Sequence, residues 1–108
     1  MAEKIKLVQG DTRPQIQVTL TDDTTGLPID ITRGTLRMRF RAAGGDTVLS
    51  TLIGTITDPV NGVGVFLWPV GTLDVDPGDY EGEVEVTFED TTVQTVYDLL
   101  LFKLRAQF

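Results

Sequence analysis

A chain of 108 residues is one domain, 1–108, of ordinary size, able to bury roughly two-thirds of the surface its unfolded form exposes. It has no Cys and no His, which removes disulfides, thiolate metal sites and the commonest general base, and leaves an enzyme only carboxylates, Lys, Tyr or Ser. A net charge of −7 argues against nucleic acid as a partner, and no apolar run approaches the ~18 residues of a membrane span.

Seven segments have strand character, most of them separated by turn chemistry. Lys4 to Val8 is the first, ended by Gln9-Gly10-Asp11; the start Met1-Ala2-Glu3-Lys4 lacks the apolar centre of a signal peptide, so a soluble protein made in the cytoplasm is expected. Pro14 opens the second, where Ile16, Val18 and Leu20 alternate with Gln15, Gln17 and Thr19. After the loop Asp22 to Pro28, Ile29 to Thr32 is expected as a short edge piece. The third strand, Thr35 to Ala42, sets Leu36, Met38 and Phe40 on one face and Arg37, Arg39 and Arg41 on the other. Val48 to Ile56 is the fourth and Gly62 to Trp68 the fifth, joined through Asn61-Gly62. A connection with one helical turn around Leu73 leads to the sixth, Tyr80 to Phe88. The last strand, from Thr92 or Val93 to about Ala106, carries a Leu99-Leu100-Leu101-Phe102 run that breaks the alternation, as a strand covered on both faces or a bulge would. Coverage on both faces would hint at a subunit contact.

Within this pattern Asp76-Pro77-Gly78-Asp79-Tyr80 runs from a turn straight into alternation, the setting of a tyrosine corner: a Tyr at the start of strand F whose hydroxyl bonds back to the upstream backbone. Position 82, where antibody domains place their second Cys, is Gly. The expected fold is therefore all-β, a single immunoglobulin-like sandwich of about seven antiparallel strands without a disulfide. Strands three and six become neighbours C and F, and their outward rows pair Arg37, Arg39 and Arg41 with Glu81, Glu83 and Glu85. Such a charge ladder fixes register, and an interaction surface is the other reading.

Asp74, Asp76 and Asp79 in one loop and Asp22-Asp23 in another raise the question of calcium; they lack the ligand rhythm and bidentate Glu of a calcium loop, and Asp is a favoured turn residue. No cofactor and no metal are expected, and no catalytic residue is assigned. Trp68 reads as core, with a stacking platform or subunit contact as the other use. Phe108 is expected to be buried against another subunit, and the segment Met1 to Gln9 to be free to join a neighbouring sheet edge.

The ordered blocks Gln9-Gly10-Asp11-Thr12-Arg13-Pro14, Gly26-Leu27-Pro28-Ile29-Asp30-Ile31-Thr32, Leu36 to Arg41, Asn61-Gly62-Val63-Gly64-Val65 and Pro77 to Val84 resemble the N-terminal domain of phage baseplate upper proteins. The resemblance covers nearly all of the chain. It implies an immunoglobulin-like module of a tailed-phage virion, non-enzymatic, attaching receptor-binding components to the tail. Its partners would be other virion proteins and copies of itself. In that family the domain usually heads a longer chain, whereas this sequence stops at Phe108, so a tail or fibre adaptor and a capsid decoration protein both stay open. A carbohydrate-binding or host-surface adhesion module using Trp68 and loop carboxylates is the reading from another class.

Overall fold

The computed structural model describes residues 4–108. Nine strands are present among them: β1 (Ile5–Val8), β2 (Ile16–Thr19), β3 (Thr35–Ala42), β4 (Ser50–Ile53), β5 (Thr55–Asp58), β6 (Val63–Phe66), β7 (Gly78–Thr87), β8 (Val93–Thr95) and β9 (Leu100–Arg105). They form two sheets, one in the order β1-β9-β7-β3-β4 with β8 also on β7, the other β2-β6-β5. In chain order this is the immunoglobulin arrangement: B, E and D (β2, β6, β5) face C, F and G (β3, β7, β8 with β9), and β4 widens the second sheet as in variable-type domains.

The inward rows meet between the sheets because strand side chains alternate faces. Leu36, Met38 and Phe40 of β3 are at most 1% exposed, and Ile16, Val18, Phe66, Val84, Val86, Phe102 and Leu104 join them in one core. At its centre Phe40 stacks on Tyr80 with centroids 5.0 Å apart and meets Trp68 and Phe102 edge-on at 5.2 and 5.8 Å. Each such pair adds about 0.5–1.5 kcal/mol beyond the area it buries. No disulfide crosses this core. Above Gly82, where a Cβ would lie 2.7 Å from Met38 Sδ and 3.1 Å from the Phe102 ring, those two side chains fill the space.

The strand count rises from the expected seven to nine for two local reasons. The segment Val48 to Ile56 is not one strand: β4 pairs with β3 in one sheet and β5 with β6 in the other, and the chain crosses at Gly54. A Cβ there would come within 3.1 Å of both Phe66 and Leu36, so the crossing hugs the core in a way a larger residue would obstruct. The last segment is also divided. Gly82 pairs with Leu100 but Glu85 with Thr95, so three steps along β7 answer to five along its partner. The two extra residues form a bulge around Tyr97 and Asp98, while the apolar run that follows sits in regular register in β9 with Leu100 and Leu101 both partly buried, covered on both faces.

Other expectations are corrected. Ile5–Val8 pairs in parallel with β9 and Leu7 is 2% exposed, so the N-terminal segment from Ile5 onward is built into its own sheet; Met1 to Glu3 lie outside the described residues. Not every pair is antiparallel, since β1 and β9 run together. Ile29 to Thr32 forms no strand; a single bridge joins Thr21 to Pro28, and Ile31 is a buried plug. The connection around Leu73 holds hydrogen-bonded turns, Thr72 N–H to Pro69 and Asp74 N–H to Gly71, without a helix.

Candidate functional site

The β3–β7 register sets Arg37 opposite Glu85, Arg39 opposite Glu83 and Arg41 opposite Glu81. Two contacts are tight: Arg39 Nη1 donates to Glu85 Oε2 at 2.8 Å, and Arg41 Nε donates to Glu81 Oε1 at 2.8 Å. Arg39–Glu83 and Arg37–Glu85 are looser, each at 3.9 Å. Glu85 therefore lies opposite Arg37 and diagonal to Arg39, and its hydrogen bond and charge hold the Arg39 guanidinium protonated more firmly than usual. The row is half covered: side-chain exposure is only 11% at Glu81 and 14% at Glu85, against 34–39% for the arginines. Glu81 also accepts the Gly44 amide at 3.2 Å, which ties the β3–β4 turn to β7. Arg37 Nε is buried without a hydrogen-bond partner. Charges matched in this way neutralise one another and specify the pairing of two strands.

The Tyr80 hydroxyl donates to the Asp76 carbonyl four residues upstream, closing the bend that enters β7. Burial and the nearby Asp76 carboxylate both push its pKa upward. Trp68 is 2% exposed and its Nε1–H donates to the Pro14 carbonyl at 2.9 Å, so the alternative of a subunit contact at Trp68 is withdrawn: its ring is consumed by its own core. Phe108 is fully exposed, with the Arg105 guanidinium 5.0 Å above its ring. The loop carboxylates are dispersed: Asp79 pairs with Lys4 at 3.1 Å, and Asp22 Oδ1 accepts the Thr24 and Thr25 amides. Among the described residues no three acidic side chains converge as metal ligands would.

One concavity includes Asp22 and Asp23 of the loop carboxylates but otherwise lies among residues the sequence did not single out. An open groove of about 460 Å3 runs between the end of β2 with the following loop (Thr19 to Thr24) and β8 with the bulge (Gln94 to Asp98). Its floor is Leu20, Ile29, Val86 and Val96, continuous with the core, and its rim carries Asp22, Asp23 and Asp98 with no basic side chain. Each wall is a sheet edge. β2 pairs only with β6 and β8 only with β7 among the described residues. Leu20 N–H bonds Gly62 on the β6 side, so by the alternation of an antiparallel ladder the peptide groups of Thr19 and Thr21 point the other way, into the groove. The bulge swings Tyr97 out onto the rim, where it is 92% exposed. In the sequence the signs of this site are the Asp22-Asp23 pair and the broken alternation at Leu99 to Phe102.

Comparison with known protein families returns no matching family, and no curated protein matches the sequence.

Proposed function

We propose that the chain is a non-enzymatic structural module of a tailed-phage virion, working in the tail, baseplate or fibre attachment by contact with other virion proteins and with copies of itself. One observation carries the reading. The groups that chemistry would use, the Tyr80 hydroxyl and the Arg–Glu ladder, are engaged within the fold, while large apolar side chains at loops and edges, Leu27, Ile53, Val60, Leu67, Val70 and Tyr97, stay in water. Exposed large apolar side chains of this kind are what contacts with other proteins would use. The sequence resemblance to baseplate upper protein domains supplies the setting, and a capsid decoration protein would use the same features.

Quantitative mass spectrometry of purified tailed particles tests the proposal. Presence at a few to dozens of copies per particle supports the tail, hundreds of copies support the capsid, and absence from particles overturns both. A second reading, a glycan-binding adhesion module, is favoured by Tyr97 standing beside carboxylates and threonines on the groove rim. Binding to a glycan array that disappears in Tyr97→Ala would support it.

A further inference from the structure

The groove between β2 and β8 has the anatomy of a seat for one more strand. Its walls are two sheet edges, each unpaired among the described residues, facing each other across the seam of the sandwich. Edge peptide groups of this kind are templates for strand addition, in which main-chain hydrogen bonds supply affinity and alternate side-chain pockets supply specificity. The floor meets the second need: Ile29 and Val96 are only partly buried and sit over fully buried Leu20 and Val86, so apolar side chains pointing inward would extend the core. The rim determines the outward side chains. Asp22, Asp23 and Asp98 line it, no Lys or Arg does, and the whole chain carries −7.

The walls are held in place. Asp22 N–H bonds the Leu27 carbonyl, Gly26 N–H bonds the Asp22 carbonyl, and the Asp22 carboxylate caps the Thr24 and Thr25 amides, so the acidic loop is fixed against the end of β2. Opposite, Val96 N–H bonds Val84, anchoring the strand just before the bulge lifts Tyr97 and Asp98. The seat is preformed, which lowers the ordering cost of binding.

We infer that this groove accepts an extended segment of a partner polypeptide in which apolar residues alternate with Lys or Arg, paired along the β2 edge through Thr19 and Thr21. The inference goes beyond the virion reading and stands without it. Charge complementarity identifies the occupant: a basic strand satisfies the aspartates, while an acidic one meets like charge on both rims.

The test is titration of a synthetic peptide of alternating Lys and Val, with a Glu and Val peptide as control, into isotope-labelled protein, followed by amide hydrogen exchange. The expected result is that the basic peptide slows exchange at Thr19 and Thr21, whose amides face away from the β2–β6 ladder. Thr19→Pro removes an edge donor that the β2–β6 ladder does not use, and it should abolish binding with the fold intact. The triple change Asp22→Asn, Asp23→Asn, Asp98→Asn keeps the loop cap and should weaken binding about tenfold, as should added salt. This second variant decides the matter if Thr19→Pro does not fold. Three results would overturn the inference: no change at Thr19 and Thr21 with the basic peptide, equal binding of the acidic peptide, or protection of the same amides on raising protein concentration alone, which would make a second copy the occupant.

Discussion

Removing only the Tyr80 hydroxyl, as Tyr80→Phe, isolates the bond that closes the bend into β7. The ring itself should remain, stacked on Phe40 at 5.0 Å and 6% exposed, so packing is unchanged and the loss is the hydrogen bond to the Asp76 carbonyl. Asp76 is exposed, so its carbonyl regains water and the full penalty of an orphaned acceptor does not apply. That leaves the net value of an ordinary bond, about 0.5–1.5 kcal/mol. For a domain of this size about 1 kcal/mol lowers the melting temperature by roughly 4–8 °C. Urea unfolding with a common slope for both proteins is the assay. A loss of 3 kcal/mol or more, on the order of a buried aromatic truncation, would refute the claim that the ring keeps its place. No loss at all would refute the claim that the bond restrains the bend.

The same hydroxyl predicts an alkaline effect. Its folded pKa is raised above the unfolded value of about 10, so its contribution is complete below pH ~10 and is lost as pH rises through the folded pKa; Tyr80→Phe should lack that part of the decline. Gly62→Ala should destabilise by about 2–4 kcal/mol, because φ is +69° and a Cβ would lie 2.6 and 2.7 Å from the Ile29 and Leu20 carbonyl oxygens, which are backbone and cannot step aside. A double-mutant cycle on Arg41 and Glu81, both to Ala, should give a coupling of about 1–2 kcal/mol by urea unfolding, above an exposed pair because Glu81 is nearly buried and bonded on two sides. In acid the turns at Asp30 and Asp90 should loosen, seen as faster exchange at the Thr32 and Thr92 amides. The Thr32 and Thr92 hydroxyls and amides hold those carboxyls below their ordinary range, so the bonds are complete above about pH 4 and lost as pH falls through the folded values.

The faces of the sandwich were legible because alternation is a local property. Leu36, Met38 and Phe40 turn inward and Arg37, Arg39 and Arg41 outward as the strand period demands. The immunoglobulin order was legible through one bend, since the chain from Asp76 to Tyr80 carries turn, strand start and hydroxyl together. What stayed hidden depends on contacts distant in sequence. The run Val48 to Ile56 keeps strand-forming residues throughout while the chain changes sheets at Gly54, and the packing of Leu36 and Phe66 around that glycine comes from distant segments. The parallel pairing of β1 with β9 leaves no mark in either segment. The groove was invisible for the same reason: its acidic and apolar parts come from Thr19 to Ile29 and from Val86 to Asp98, and only the seam between two sheets brings them together. Trp68 illustrates the converse. A lone Trp beside Pro69 suits either a surface platform or a core, and the Pro14 carbonyl that receives its N–H lies 54 residues away.

The central claim, that this sandwich acts by assembling onto a particle, is tested most directly by light scattering on the purified protein with and without phage particles stripped of it. The account predicts saturable rebinding at a fixed number of copies per particle, lost when the particle is omitted. A protein that stays monomeric, ignores the stripped particles and instead binds glycans would contradict it.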